Sequence, residues 1–188
     1  MKITSASFVK GIVSEDPIIT EPIPQFAFIG RSNVGKSSLM NCLLNSKSLV
    51  KTGDTPGKTT EINFFRINNN LFFVDLPGYG FSKAKQIKRE QVADIIQWYF
   101  FEPVFKRKTI LVIDARIKPS DFDQEMYRLL QSSRNETIIA ANKIDTLNQK
   151  ELNTNLEALN KAFPHTKIIP CSAKTKVGRE ELWKRMLE

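Results

Sequence analysis

The chain reads as a three-layer α/β fold: one six-stranded, mostly parallel sheet with one antiparallel strand, and helices on both faces. Three observations predict it. Short apolar runs alternate with stretches of helical period from Phe26 onward. A glycine-rich corner at 30–37, GRSNVGKS, joins the first run to a helix-like segment, Leu39-Met40-Asn41-Cys42-Leu43-Leu44. The tract Asn68-Asn69-Asn70 separates two runs so tightly that they form a hairpin, which supplies the antiparallel strand.

In chain order, residues 1–23 carry turn chemistry (Glu15-Asp16-Pro17, Glu21-Pro22) and are expected to form an arm packed on the domain that follows, 24–188. Strands are predicted at 26–29, 62–67, 71–74, 109–113, 137–141 and 167–169. Residues 45–61 are rich in Ser, Lys, Thr and Gly and lack an apolar period, as expected of a mobile loop. Phe122, Met126, Leu129 and Leu130 have helical spacing behind a capping box of Ser120 and Asp123. Leu152, Leu156, Leu159 and Phe163 repeat that spacing, and both stripes read as core contacts.

Composition narrows the class. A chain of 188 residues with 41% hydrophobic content suits one domain with its own core. No run reaches membrane-spanning length, and 1–5 lead into no signal-peptide core. Cys42 and Cys171 stand at unrelated positions and read as reduced thiols, so a cytoplasmic protein is expected. His165, the single histidine, follows Pro164 in a predicted turn and reads as a surface residue.

The glycine-rich corner carries the chemistry. Gly30 and Gly35 let the backbone curl so that successive amides point inward at a phosphate chain, and the dipole of the following helix favours that charge. Residues Gly30, Arg31, Ser32, Asn33, Val34, Gly35, Lys36, Ser37 and Ser38 form this cradle. Lys36 can reach the outer phosphates and the Ser37 hydroxyl can ligate magnesium. Asp75-Leu76-Pro77-Gly78 follows the run 71–74. Asp75 can hold magnesium through water, and Gly78 can offer its amide to a terminal phosphate.

Asn142-Lys143-Ile144-Asp145 follows the run 138–141, at the strand edge where open parallel sheets bind ligands. The Asp145 carboxylate can accept from guanine N1–H and its exocyclic amine; adenine offers neither, so a buried, unpaired Asp145 disfavours it. Asn142 would brace the loop and the Lys143 stem would lie along the ring. Cys171-Ser172-Ala173-Lys174 matches the short loop that closes over guanine.

With these motifs in place, the chain resembles the EngB/YsxC family of bacterial GTP-binding proteins, TrmE-Era-EngA-like P-loop GTPases associated with assembly of the large ribosomal subunit and linked to septation. The segments that carry the resemblance are GRSNVGKSSLMN from Gly30, TPGKTTEINFF from Thr55, DLPGYGFSK from Asp75, IDARIKPSDFDQEM from Ile113, NKID from Asn142 and CSAK from Cys171. It implies a P-loop GTPase domain that binds GTP or GDP with Mg2+ and hydrolyses GTP. It places Gly57, Lys58, Thr59 and Thr60 in the first switch, with Thr59 the second magnesium ligand beside Ser37 and Asp75, and Thr60 its rival. The catalytic set it implies is Lys36, Thr59 and Gly78. Family members carry Thr-Lys-x-Asp where this chain has Asn142-Lys143-Ile144-Asp145; asparagine is the commoner residue across GTPases, so guanine specificity stands.

Two positions bear on rate. Tyr79 occupies the place where many GTPases carry a water-orienting glutamine, so slow intrinsic hydrolysis is expected. Asn33 stands where several related GTPases use an asparagine to hold K+ beside the phosphates; an equal reading is that it only suits the loop backbone.

The formal charge of +8 suits a polyanionic partner. Basic residues cluster at Lys83, Lys85, Lys88 and Arg89; at Lys106, Arg107 and Lys108; at Lys174, Lys176 and Arg179; and at Lys184 and Arg185. Each alone also reads as a solvated face. Tyr79 and Phe81, beside the first cluster, could stack on an unpaired base or dock inward. The resemblance directs this charge to ribosomal RNA and the large subunit or its precursor. A monomer without membrane insertion is expected. The rival readings are a GTPase acting through a cell-division or membrane-associated partner, and a P-loop small-molecule kinase. NKID argues against the kinase, and no lipidation signal supports a membrane role.

Overall fold

The computed structural model describes residues 1–50, 61–80, 86–133 and 135–188, with 86–89 described by their backbone alone. Among these residues one sheet of seven strands has the order β1-β3-β4-β2-β5-β6-β7. The strands are β1 (Ala6–Ile12), β2 (Gln25–Gly30), β3 (Ile62–Ile67), β4 (Leu71–Asp75), β5 (Arg107–Asp114), β6 (Glu136–Asn142) and β7 (Lys167–Pro170). The helices are α1 (Lys36–Leu43), α2 (Gln86–Phe101), α3 (Asp121–Ser132), α4 (Gln149–Ala162) and α5 (Arg179–Leu187).

The expected count of six strands is corrected to seven. The added strand, β1, pairs antiparallel with β3. Its residues fall in the segment read as an arm, and burial explains why they gave no strand signal. At the sheet edge Phe8 and Val9 stay largely exposed, and a register shift between Phe8 and Lys10 breaks the alternation. Phe8 still packs edge-on against Phe65, with ring centroids 5.5 Å apart. The antiparallel strand is β3, which runs against both neighbours. It meets β4 through a turn in which Asn68 and Asn69 adopt φ of 48° and 59°, the left-handed pair that a tight hairpin demands. The Asn68 carboxamide then ties down the amino terminus, accepting from the Thr4 and Ser5 amides and donating to the Lys2 carbonyl.

Two apolar layers sandwich the sheet. One lies under α2, α3 and α4 and includes Ile96, Tyr99, Leu130, Leu159 and Phe163. The other lies under α1 and α5 and includes Leu39, Leu43, Leu182 and Trp183. The capping box of α3 forms as predicted, with Ser120 and Asp123 each accepting from the other's backbone amide. The stripe behind it needs correction. Phe122 is 48% exposed, and Tyr127 takes the buried place that spacing assigned to it.

Strands β2, β4, β5, β6 and β7 run parallel. Their carboxyl ends therefore lie along one edge, and Gly30, Asp75, Asp114, Asn142 and Pro170 close them.

Helix α5 is held to this scaffold by Trp183, which is almost fully buried against Phe73 and donates its indole N–H to the Leu43 carbonyl at 3.1 Å. Truncation by Trp183→Ala should cost about 3–5 kcal/mol in chemical denaturation. Arg179 also donates to the Leu43 carbonyl, so that oxygen stays satisfied and the loss reports packing. A loss below about 1 kcal/mol would show that the α5 face contributes little.

Candidate functional site

The phosphate-loop residues sit between β2 and α1 in a conformation that only their sequence permits. A Cβ on Gly30 would stand 2.5 Å from the Val112 carbonyl, and one on Gly35 2.5 Å from Asn142 Nδ2. Gly35 has φ 90° and Asn33 φ 68°, both left-handed, the region that glycine and asparagine tolerate best. Val34 turns its side chain into the core and donates its amide to the Arg31 carbonyl. Gly35 caps α1 without a side chain, and the first turn, which includes Ser37 and Ser38, carries no acidic residue. Its amides can therefore receive an anion.

Lys36 and Asp75 meet directly: the ammonium donates to Asp75 Oδ1, and both side chains are largely buried. The group suited to phosphates and the carboxylate suited to a cation thus share one spot. A hydroxyl (Ser37) and a single carboxylate form a donor set suited to Mg2+, which keeps waters and takes much of its coordination from phosphate oxygens. Among the described residues no cluster of three or more acidic, His or Cys side chains forms an all-protein metal cage.

The segment after β4 lies against the loop. A Cβ on Gly78 would come within 3.1 Å of Ser32 Oγ, and the Ser32 amide donates to the Tyr79 carbonyl at 3.2 Å. Arg31 and Tyr79 form a parallel bridge. Leu76 is buried in the core and donates its amide to the Phe28 carbonyl, so Pro77 and Gly78 are left facing the loop edge. Tyr79 docks inward. Its hydroxyl donates to Asp123 Oδ1 at 2.8 Å, while Asp123 Oδ2 serves the α3 cap. Burial, then the Asp123 carboxylate, pushes the phenol well above its ordinary pKa. The neutral hydroxyl is thereby committed to α3.

At the other end Asn142 closes β6 and works in both directions. Its Nδ2 donates to the Val34 carbonyl at 3.0 Å, and its Oδ1 accepts from the Ala173 amide at 3.1 Å. Lys143 adopts φ 71° and donates from Nζ to the Asn33 carbonyl at 2.6 Å. Asp145 Oδ1 accepts from Ser172 Oγ at 2.6 Å, and that oxygen accepts from the Thr175 amide. Cys171 is buried and donates its amide to the Ala141 carbonyl; burial pushes its thiol up to about 12. It shapes the loop while Ser172 and Ala173 make the contacts.

The structure adds Asp114 and Arg116, which the motif reading left out. Asp114 closes β5 beside Asn142 and pairs with both Arg116 and Lys143. A strand-end carboxylate in the same position as Asp75 was the available signal. Gly57, Lys58, Thr59 and Thr60 lie outside the described residues, as do Phe81, Lys83 and Lys85. The basic run 106–108 is corrected: Arg107 is buried over the Tyr99 ring and Lys108 is buried against Glu136, leaving Lys106 exposed. Arg179 is half-buried, whereas Lys174 and Lys176 stay exposed beside the base-side loop. Among the described residues no helix is long and apolar enough to cross a membrane.

Known proteins resemble this chain in sequence and in fold. Residues 25–143 match the family model described as 50S ribosome-binding GTPase. The "Probable GTP-binding protein EngB" of Clostridium kluyveri is 40% identical over 187 residues, covering 98% of this chain and 95% of the relative. Its counterpart in Clostridioides difficile is 35% identical over 190 residues, covering 100% and 94%. A crystal structure of a probable GTP-binding protein engB superposes with TM-score 0.74 at 27% identity, covering 87% of this chain and 96% of that one. Era in complex with MgGDPNP and nucleotides 1506–1542 of 16S ribosomal RNA gives TM-score 0.69 at 25% identity, covering 88% of this chain and 56% of that one. At 35–40% identity to these relatives over nearly its full length, and with the family model matching residues 25–143, this chain belongs to the EngB family of P-loop GTPases, whose activity is hydrolysis of GTP.

Proposed function

We propose that this GTPase is a nucleotide-controlled assembly factor for the large ribosomal subunit, acting as a cytoplasmic monomer that contacts ribosomal RNA. The observation that carries the switch is Asn142, whose carboxamide joins the phosphate loop to the base-side loop in one hydrogen-bonded unit. The large-subunit destination is supported by the family description, and contact with ribosomal RNA by the Era relative, which is bound to 16S ribosomal RNA. Support for septation belongs to the same reading, through the supply of ribosomes.

In this reading the loop amides and Lys36 would hold the phosphates, Ser37, Asp75 and Thr59 would hold magnesium, and Asp145 with Asn142, Lys143, Ser172 and Ala173 would read guanine. Magnesium supplies neutralisation of charge on the β- and γ-phosphate oxygens when bound. The chain's own part is positional: the Gly78 amide marks the terminal phosphate, and Gly30 and Gly35 keep the cradle open. Asn33 suits the left-handed loop backbone; the family resemblance gives it an equal second reading, a share in holding K+. Equal hydrolysis rates in potassium and sodium at matched ionic strength would remove the second role.

With Tyr79 committed to Asp123, intrinsic hydrolysis is slow and Tyr79 orients no water. Tyr79→Phe should lower stability by about 1–2 kcal/mol, since one buried hydrogen bond is lost. Single-turnover hydrolysis should change by less than about threefold, because no transition-state contact is removed. A hundredfold fall in a folded variant would restore a water-positioning role. For the base, Asp145→Asn should turn preference from guanosine to xanthosine diphosphate, because a carbonyl replaces the amine at purine C2. Unchanged preference would move the base reader elsewhere.

Co-sedimentation with purified ribosomal subunits, in GDP and in a non-hydrolysable GTP analogue, tests the partner. Binding to the large subunit that strengthens with the analogue supports the assembly role. No binding to either subunit in either state overturns it.

A further inference from the structure

We propose that Asp114 is a positioning residue for the purine: by clamping the Lys143 ammonium against the phosphate loop, it fixes the aliphatic stem of Lys143 as a surface for the base. The inference rests on the reading of 142–145 as the guanine site and adds a residue that the motif does not contain.

The geometry is a chain of charge-assisted contacts. Asp114, the last residue of β5, is buried and pairs in register with Asn142. Its Oδ1 accepts from the Arg116 amide at 3.1 Å and from Arg116 Nε at 2.9 Å. Its Oδ2 accepts from Arg116 Nη2 at 2.7 Å and from Lys143 Nζ at 3.0 Å. The same Nζ donates to the Asn33 carbonyl at 2.6 Å. Lys143 is thus held at both ends. Its backbone is fixed in the left-handed region, which a lysine rarely enters, and its ammonium is fixed between β5 and the phosphate loop.

Each partner needs the other. A buried carboxylate needs compensating donors. Burial raises the Asp114 pKa, but the Arg116 and Lys143 donors outweigh it, so the carboxyl lies below its ordinary value and is charged at neutral pH. A four-carbon stem anchored only at its backbone samples many rotamers, and ordering them on ligand binding opposes affinity. The pair removes that freedom before the nucleotide arrives. Arg116 is 45% exposed while the Asp114 side chain it pairs with is 8% exposed, so the carboxylate has little contact with water.

The role differs from that of Asp145. Asp145 distinguishes one base edge from another, whereas a fixed stem supports the face of any purine with the same outline. Loss of Asp114 should therefore weaken guanosine and inosine diphosphates together, and their ratio should hold.

The test is equilibrium binding of GDP, inosine diphosphate and ADP to the full chain and to Asp114→Asn, Lys143→Met and the double variant. Melting temperatures are recorded for each. Lys143→Met keeps an apolar stem but cannot be clamped. Asp114→Asn should lose about ten- to hundredfold in GDP affinity, the range for one charged hydrogen bond. Lys143→Met should lose as much, and the double variant no more than either, with the GDP-to-inosine-diphosphate ratio unchanged throughout. Either single variant binding within twofold of the unaltered chain overturns the proposal. Losses that multiply in the double variant also overturn it, since Asp114 would then act apart from Lys143. If Asp114→Asn does not fold, the double variant, which leaves neither member of the pair buried alone, is compared with Lys143→Met on the same terms. An unaltered chain that binds GDP no better than ADP defeats the guanine reading itself, a result distinct from failure of the clamp.

Discussion

The site depends on one carboxamide. Asn142 can donate and accept at once, and it spends those two functions on opposite halves of the nucleotide edge: the Val34 carbonyl and the Ala173 amide. Gly35 has to lack a side chain because Asn142 Nδ2 occupies the place where a Cβ would go. The phosphate loop and the base-side loop are thereby joined at the end of β6, an interior strand paired with β5 and β7.

A comparable economy governs the segment after β4. Asp123 divides its two oxygens between the α3 cap and the Tyr79 hydroxyl, so the residue beside Gly78 is anchored to a helix that also shields the sheet. That anchor turns the Tyr79 side chain away from the phosphate loop and into the core. It also means that movement of the Gly78 backbone is felt at α3. A GTPase that works by changing its partner contacts benefits from such a link more than from fast turnover, because slow hydrolysis lengthens the life of the GTP state.

Much of this was legible in the residues because the relevant signals are local. A strand, a glycine turn and a helix follow one another around 30–37, and the Ser120–Asp123 box is a four-residue pattern; each requires no knowledge of the rest of the chain. The features that escaped are those decided at a distance. Strand β1 lies at the sheet edge and buries too little to leave an alternating pattern, so its pairing depends on β3, some fifty residues on. Phe122 had the right spacing, yet it lies 48% exposed while its neighbour Asp123 is buried and bonded to Tyr79. Asp114 carries no motif of its own; its importance follows from β5 lying next to β6, which places it beside Lys143.

Charge teaches the same lesson about the surface. The formal excess of +8 includes cations that are largely buried. Arg107 is spent on aromatic faces, Lys108 on Glu136 and Lys36 on Asp75. What remains exposed is distributed by the fold, and part of it has a telling position. Lys174 and Lys176 lie on the loop whose earlier residues, Ser172 and Ala173, hold Asp145 and Asn142. That loop is tightly constrained, with the Ser172 amide donating to the Val177 carbonyl, the Lys176 amide to the Ser172 carbonyl, and Gly178 at φ 75° against Pro170. A polyanion resting on these lysines would press on a segment that has little slack, and its effect would pass to the base contacts rather than dissipate in the loop. Position on a rigid loop, more than net charge, is what could make a basic surface responsive to the nucleotide.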